Sequence, residues 1–264
     1  ADAILSGAEP IYVPLYPPEF DFNPDELEAA FKQHPKALIL CNPSNPCGKV
    51  FTYNELKFIA DLAEKYDTFV ITDEVYEHIV YAPNRHVYFA TLPGMWERTI
   101  SCSSLSKTYS ITGWRLGYLC APKPLAKQML KIHQYAIMCA PTVSQYAAIV
   151  ALQECDDEVR KMVDEYDARR RIVVDGFNKM GLHCFNPEGA FYVFPCIRST
   201  GMDSETFCEK LLQEEKVAVV PGSAFGESGE GFVRVSYAYS LKHLMEALEH
   251  IAAFVQRHKQ EDTP

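Results

Sequence analysis

Apolar residues along the chain occur both in short continuous runs and at helical spacing. The runs at residues 37–41 (ALILC), 68–72 (TFVIT) and 98–103 (RTISCS) have the length of buried strands. Between the first two runs, Thr52 and Glu55 have capping-box spacing ahead of apolar positions that recur on one helix face. Strands separated by helices predict an α/β fold, in which a mostly parallel sheet is flanked by helices.

The segments around the first run are less regular. Residues 11–15 (IYVPL) predict one short strand in a region rich in proline and aromatic residues. Asn23, Pro24 and Glu26 then predict the cap and first turn of a helix. Residues 42–48 (NPSNPCG) predict a loop, because their prolines fit neither a helix nor a sheet.

After residue 122, apolar residues recur mainly at the spacing of a helix. Two mainly helical stretches cover residues 123–138 and 143–154, and a longer helix follows over residues 156–181. Its arginine run, residues 169–171, is more typical of a solvated or interdomain face than of a binding patch.

The pattern changes again beyond the long helix. A last helix with Ser240 as its cap follows three strand-like segments, at residues 190–194, 217–220 and 232–237. This mixture predicts a smaller α+β domain. We therefore expect residues 1–155 to form a large domain and residues 156–264 to form a small C-terminal domain.

Composition excludes several classes of function. The formal net charge is −10 and basic residues are dispersed, so the chain lacks the basic footprint of a nucleic-acid-binding protein. Nine cysteines without a C-x-x-C pair argue against a disulfide framework and against a metal site. The cysteine pattern favours a reducing, cytoplasmic compartment. No apolar run is long enough to span a bilayer and no signal-peptide pattern is present, so we expect no membrane partner.

Polar side chains follow three of the predicted strands. Asn45, Asp73 and Lys107 each come shortly after a strand end. In open parallel sheets, ligands bind beyond the carboxyl ends of the strands. We therefore expect these three side chains to face one crevice.

The most informative stretch is SLSKTYSITGWRLGY, residues 104–118. A lysine amine can form a Schiff base with an aldehyde, and Lys107 lies between Ser104 and Arg115, which can donate hydrogen bonds to a phosphate dianion. The alternative is an ordinary basic residue in a polar loop. A strand-end carboxylate such as Asp73 could keep a pyridine nitrogen protonated. Together these residues indicate a site for pyridoxal 5′-phosphate (PLP) anchored on Lys107.

Seven motifs occur in the order and at about the spacings of a known family. The chain resembles the fold-type I PLP enzymes, specifically the class I/II aminotransferases, in the motifs GAEPIYVPL, NPSNPCGKVFT, ITDEVYEHIVY, SLSKTYSITGWRLGY, NPEGAFYVF, VAVVPGSAFG and FVRVSYA. Several motifs in order are more specific than any single motif.

The resemblance implies a role for each matching residue. Lys107 would be the catalytic residue and would form the Schiff base with PLP, and Asp73 would bind the pyridine nitrogen. Asn45 and Tyr76 would bind the phenolic oxygen of the ring, and Ser104 and Arg115 would bind the phosphate. Arg234 would bind the substrate α-carboxylate together with Asn45, because its planar guanidinium matches two carboxylate oxygens.

The implied activity is transfer of an amino group from an L-amino acid to a 2-oxo acid in two stages. PLP-dependent carbon–sulfur β-lyases and aminocyclopropane-carboxylate synthases share the same anchor residues and remain alternatives. An alternative of another class is the non-enzymatic, aminotransferase-like sensor domain of a transcription regulator, which a DNA-binding module upstream would favour.

The resemblance also implies a homodimer, and the chain departs from the family in two places. The family has an N-terminal block with a glycine-containing phosphate loop and an aromatic residue that stacks on the ring. This chain starts after that block, so we expect a fragment or a processed chain. Cys47 stands where the family usually has threonine, and we expect a tolerated small loop residue rather than a reactive thiol.

Overall fold

The computed structural model describes residues 2–258 of the chain. Its α-helices are α1 (Asp2–Leu5), α2 (Pro24–Phe31), α3 (Tyr53–Lys65), α4 (Leu105–Thr108), α5 (Lys123–Ala136), α6 (Thr142–Glu154), α7 (Asp156–Lys179), α8 (Ser204–Glu215) and α9 (Leu241–His258). Its strands are β1 (Leu15–Tyr16), β2 (Asp21–Phe22), β3 (Ala37–Cys41), β4 (Phe69–Asp73), β5 (Thr99–Ser104), β6 (Gly117–Cys120), β7 (Tyr192–Val193), β8 (Val220–Pro221) and β9 (Val233–Ser236).

The central sheet contains four strands in the order β3-β4-β5-β6. Strands β3, β4 and β5 are parallel, and β6 pairs with β5 in the antiparallel direction. The three parallel strands lie where the apolar runs predict them, so the predicted α/β fold with a mostly parallel sheet is confirmed. The pattern of residues did not predict β6, because a short edge strand needs neither a long apolar run nor strict alternation.

The strand predicted over residues 11–15 is wrong. Only Leu15 and Tyr16 form a strand there, and they pair with Phe22 and Asp21 in a two-stranded antiparallel sheet. Pro14 has no amide hydrogen to donate to a neighbouring strand, which is the physical reason for the shorter element.

Local capping signals agree with the structure. The Thr52 hydroxyl accepts the amide of Glu55, and the Glu55 carboxylate accepts the amide of Thr52, which completes the predicted capping box of α3. At α2, Asn23 Oδ1 accepts the amide of Asp25. Leu56 and Ala63 of α3 are fully buried beneath the central sheet, as their spacing predicts.

A second core forms around α7, α8, α9 and the three-stranded antiparallel sheet β7-β9-β8. These strands are shorter than the predicted ones. The same core also contains Tyr76, Ile79 and Tyr81 from the segment after β4. The boundary between residues 155 and 156 stays a prediction, and the last six residues of the predicted small domain, 259–264, lie outside the described range.

The arginine run of α7 contains one buried member. Arg170 donates hydrogen bonds to Asn186 Oδ1 at 2.5 Å and to the Pro187 carbonyl at 2.9 Å, and its guanidinium carbon lies 4.7 Å from the centre of the Tyr81 ring. Arg170 therefore does not lie on a solvated face. It connects α7 with the NPEG loop, residues 186–189, and with the segment after β4.

Helices α5 and α6 expose many apolar side chains. α5 has no buried residue, although apolar positions recur along it. The exposed side chains on the two helices include Leu130, Ile132, Tyr135, Val143, Tyr146 and Ile149. Among residues 2–258, we find no helix that is both long and apolar enough to cross a membrane.

Candidate active site

The carboxyl ends of the parallel strands bring the predicted residues to one edge of the central sheet. Cys41 at the end of β3 pairs with Asp73 at the end of β4, and Asp73 pairs with Cys102 of β5. Ser104 ends β5 and caps α4, and α4 contains Lys107. The predicted approach of the loop after β3, Asp73 and the lysine motif is therefore present in the fold.

Lys107 lies on the one-turn helix α4 and is half-buried. Its Nζ is 5.6 Å from the centre of the Phe191 ring, within the range of a cation–π contact. Ser104 shapes this turn, because its hydroxyl accepts the amide of Ser106 at 3.1 Å and donates to the Leu116 carbonyl at 3.0 Å. These bonds hold the lysine turn at the end of β5.

Arg115 follows on the other side of the same hairpin. Its backbone is left-handed (φ 54°), and its Nη1 donates to the Thr112 carbonyl at 3.0 Å. Ser144 of α6 donates to the Trp114 carbonyl at 2.7 Å and so supports this turn. Ser104 and Arg115 therefore belong to one hairpin, residues 104–117, which we call the lysine hairpin.

Arg234 of β9 reaches the loop after β3. Its Nη1 donates to Asn45 Oδ1 at 2.9 Å, so the two predicted substrate-binding residues are in direct contact. The guanidinium carbon lies 4.5 Å from the centre of the Tyr192 ring and 4.9 Å from the centre of the Phe225 ring. Arg234 is thus fixed by one hydrogen bond and two aromatic faces.

Tyr76 is almost completely buried and is connected to the same aromatic group. Its hydroxyl is 2.9 Å from the Tyr192 hydroxyl, and its ring meets the Phe191 ring edge to face at 5.4 Å. Burial, followed by the hydrogen bond with Tyr192, raises the pKa of Tyr76 far above the ordinary tyrosine value. The phenol is therefore protonated and can donate a hydrogen bond at neutral pH.

Phe191, Tyr192 and Phe225 were not predicted as site residues. The motif AFYVF predicts only a strand, and the alternation of its side chains does not show which residues of the central sheet they meet. A signal was nevertheless present, because these aromatic residues belong to two of the motifs that carry the resemblance, NPEGAFYVF and VAVVPGSAFG. The structure shows that these aromatic rings connect Lys107, Tyr76 and Arg234.

The surroundings of Asp73 favour a carboxylate that meets a ligand rather than a buried ion pair. Asp73 is exposed, and its Oδ1 accepts the amide of Val75 at 3.3 Å. Its two strand neighbours are thiols. Burial and then the charge of Asp73 raise the pKa of Cys41 to about 12 and also raise the pKa of Cys102, so both thiols are neutral.

Cys47 is buried, and its thiol contacts Ser44 Oγ at 3.3 Å. Burial raises the pKa of the Cys47 thiol, which keeps it protonated. This environment agrees with a small loop residue and not with a nucleophile.

The donor and acceptor groups of the site fit PLP. A lysine amine, an exposed carboxylate and a protonated phenol lie around one sheet edge, and a serine and an arginine lie at the lysine hairpin. The hydroxyl of Ser104 and the guanidinium of Arg115 donate to carbonyls of their own hairpin, and both are donor types that bind a phosphate.

The parallel sheet has a lysine turn after β5, an aspartate at the end of the neighbouring strand β4 and an arginine from the second core, which is the arrangement that the resemblance to fold-type I PLP enzymes implies. The family model for aminotransferase class I and II matches residues 1–251. The chain belongs to this family, whose members depend on PLP.

Similar proteins agree with this assignment. The aspartate aminotransferase of Pyrococcus abyssi (strain GE5 / Orsay) is 46% identical over 259 residues, which cover 97% of this chain and 67% of the relative. Aromatic-amino-acid aminotransferase 2 of Thermococcus litoralis is 43% identical over 259 residues, with coverage of 97% and 67%. The crystal structure of the aromatic aminotransferase from Pyrococcus horikoshii OT3 superposes with a TM-score of 0.94 at 46% identity and covers 97% of this chain and 69% of that chain.

The predicted family and fold class are therefore confirmed, and the relatives bear names of the predicted enzyme class. The chain spans about two thirds of the length of these curated relatives.

Proposed function

We propose that the complete protein is a PLP-dependent aminotransferase that moves an amino group from an L-amino acid to a 2-oxo acid in two stages. The observation that carries the proposal is the placement of Lys107 and Asp73 at neighbouring strand ends, with Arg234 reaching the same region from the second core. The names of the relatives support amino acids as substrates.

When bound, PLP supplies an aldehyde and a protonated ring that withdraws electrons from the substrate α-carbon. Lys107 would hold the cofactor at its aldehyde carbon, and its amine would move a proton to and from the substrate α-carbon. Asp73 accepts the pyridine N–H and keeps that nitrogen protonated. This division of roles uses the half-buried position of Lys107 and the exposed position of Asp73.

The remaining residues bind and orient. Asn45 and Tyr76 donate to the phenolic oxygen of the ring, and Ser104 and Arg115 donate to the phosphate. Arg234 binds the substrate α-carboxylate together with Asn45, and their existing hydrogen bond supports this pairing. The protonated state of Tyr76 supports its role as a donor.

We further propose that the complete protein is a homodimer. The exposed apolar side chains of α5 and α6 support this, since large apolar patches on soluble proteins commonly mark interaction surfaces. Light scattering after size exclusion tests the proposal, and a monomeric mass over the working concentration range would contradict it.

A cytoplasmic location is proposed as well. All nine cysteines are free thiols, which suits a reducing compartment. Fractionation of the producing cells tests the location, and recovery from an oxidising compartment would contradict it.

A half-reaction experiment tests the activity. The complete protein is loaded with PLP, mixed with one amino acid at a time and left without a 2-oxo acid. We expect one equivalent of 2-oxo acid per site and conversion of the cofactor to its aminated form, seen by absorption. Release of ammonia and pyruvate without that conversion would identify a β-lyase instead.

A further inference from the structure

One buried carboxylate outside the residues assigned above joins three elements of the sheet edge. Glu77 lies in the turn after β4, where its amide donates to the Glu74 carbonyl at 2.9 Å, and its side chain is 5% exposed. Its Oε1 accepts the Ser103 hydroxyl of β5 at 2.6 Å and the Tyr118 hydroxyl of β6 at 3.1 Å. A single oxygen therefore ties this turn to two strands.

These contacts lie directly beside the proposed site. Glu77 follows Tyr76 in the chain, and Ser103 precedes Ser104. Ser103 and Tyr118 face each other in the β5–β6 register, at the base of the lysine hairpin. The carboxylate therefore joins the turn that carries Tyr76 to the hairpin that carries Lys107 and Arg115.

Burial and charge make the hydrogen bonds from Ser103 and Tyr118 to Glu77 strong. A buried carboxylate without hydrogen-bond donors is strongly unfavourable, so Glu77 holds its two donors in place. The 2.6 Å bond from Ser103 has the length of a charge-assisted hydrogen bond, which is stronger than a bond between neutral groups. Burial raises the pKa of the Tyr118 phenol and the Glu77 carboxylate adds to the rise, so this phenol stays a donor.

We propose that Glu77 is a positioning residue that sets the distance between Tyr76 and the lysine hairpin. This inference rests on the proposed function, in which Tyr76 binds the ring oxygen of PLP and Ser104 and Arg115 bind its phosphate. Both ends of the cofactor are then held at the same time only if the turn and the hairpin keep their separation. Loss of the Glu77 contacts weakens cofactor binding before it unfolds the protein.

The test compares the complete protein with variants that remove single donors. Ser103→Ala and Tyr118→Phe each remove one of the two hydroxyls that donate to the Glu77 carboxylate, whose Oε1 also lies 3.9 Å from His78 Nε2. Thr99→Ala is the control for Ser103→Ala, because Thr99 is also a buried hydroxyl of β5 and donates to the Met95 carbonyl at 2.7 Å, at the other end of the strand. Tyr16→Phe is the control for Tyr118→Phe, because the Tyr16 hydroxyl donates to Glu26 at 2.8 Å, away from the site.

Three quantities are measured on each protein: the Kd for PLP by fluorescence titration, the thermal midpoint of the cofactor-free protein, and the pH midpoint of the absorption spectrum of bound PLP. We expect Ser103→Ala and Tyr118→Phe to raise the Kd by about tenfold, because each variant loses a hydrogen bond to a charged group that keeps the turn and the hairpin at the separation PLP needs. The pH midpoint should move in both variants. The two control variants should lower only the thermal midpoint.

The outcomes distinguish failure of the proposed function from failure of the positioning role. A complete wild-type protein that binds no PLP would overturn the proposed function and this inference with it. Normal binding by the wild type, together with an unchanged Kd and pH midpoint in both Ser103→Ala and Tyr118→Phe, would overturn the positioning role alone. Glu77→Gln adds a check, because its amide oxygen still accepts a hydrogen bond and should restore part of the affinity that Glu77→Ala loses.

Discussion

Arg234 Nη1 donates to Asn45 Oδ1 over 2.9 Å, although the two residues are 189 positions apart in the chain. Asn45 belongs to the loop after β3, and Arg234 belongs to β9 of the second core. The bond therefore fixes the direction of a guanidinium toward the edge of the central sheet. A guanidinium that is already oriented binds a carboxylate with a smaller loss of conformational entropy.

Arg234→Lys should therefore raise the KM for the amino acid substrate by about ten- to a hundredfold, because an ammonium group cannot present two parallel N–H donors. The kcat should change less than the KM. Steady-state kinetics of the complete protein measures both. Arg198→Lys is the matched control, because Arg198 also lies over an aromatic ring, 4.8 Å from the centre of Phe232. Equal KM changes in the two variants would contradict the role of Arg234.

Lys107→Ala should remove the covalent attachment of PLP and reduce turnover by several orders of magnitude, as expected when a nucleophile that also transfers the proton is lost. Noncovalent cofactor binding should remain, since the other donors are intact. Reduction with borohydride followed by mass spectrometry detects the covalent link. Lys161→Ala, on an exposed surface of α7, is the control and should keep both properties. Transamination by Lys107→Ala at the wild-type rate would contradict the assignment.

Structural features that depend on residues close together in the chain can be predicted from the sequence. The apolar runs of β3, β4 and β5 and the capping pair Thr52 and Glu55 each involve a few consecutive positions. The rule that parallel strands present ligand-binding residues at their carboxyl ends then brought Asn45, Asp73 and Lys107 together. The structure confirms the strands and brings the segments that carry these three residues to one edge of the sheet, and the roles of the residues stay a prediction.

Contacts between segments that are distant in the chain cannot be predicted from the sequence pattern. Arg234 was identified only through the resemblance to a family, and the aromatic faces of Tyr192 and Phe225 that hold it depend on how β7 and the loop after β8 pack. The pairing of β6 and the burial of Arg170 depend on tertiary neighbours as well. Periodicity describes which face of an element is apolar, but it does not specify the partner of that face.

Gly48→Ala should lower the free energy of unfolding by more than Gly7→Ala. Both glycines have left-handed backbones, with φ of 76° and 77°, so alanine adds about 1–2 kcal/mol of backbone strain at either position. A Cβ at Gly48 would lie 2.5 Å from Pro187 Cβ, whereas a Cβ at Gly7 meets nothing within 4 Å. This overlap should add about 1–3 kcal/mol, measured by urea unfolding. Equal losses in the two variants would contradict the close contact.

Tyr237 gives a prediction for high pH. Its side chain is fully buried, and its hydroxyl donates to the Ala190 carbonyl at 3.1 Å. Burial, followed by the neighbouring Tyr81, raises the pKa of Tyr237 well above the ordinary value. The folded protein therefore keeps a proton that the unfolded chain loses above a pH of about 10, so the stabilising contribution is complete below that pH and is lost as the pH rises further.

The raised pKa of Tyr237 should make the free energy of unfolding fall by about 1.4 kcal/mol per pH unit above a pH of about 10. Tyr237→Phe removes one titrating group and should reduce this slope by about that amount, although it lowers stability at neutral pH through the lost hydrogen bond. Urea unfolding at several alkaline pH values measures the slope. Tyr53→Phe, which removes the hydroxyl of an exposed tyrosine, is the control variant. The same slope in Tyr237→Phe and Tyr53→Phe would show that the buried phenol of Tyr237 does not link stability to pH.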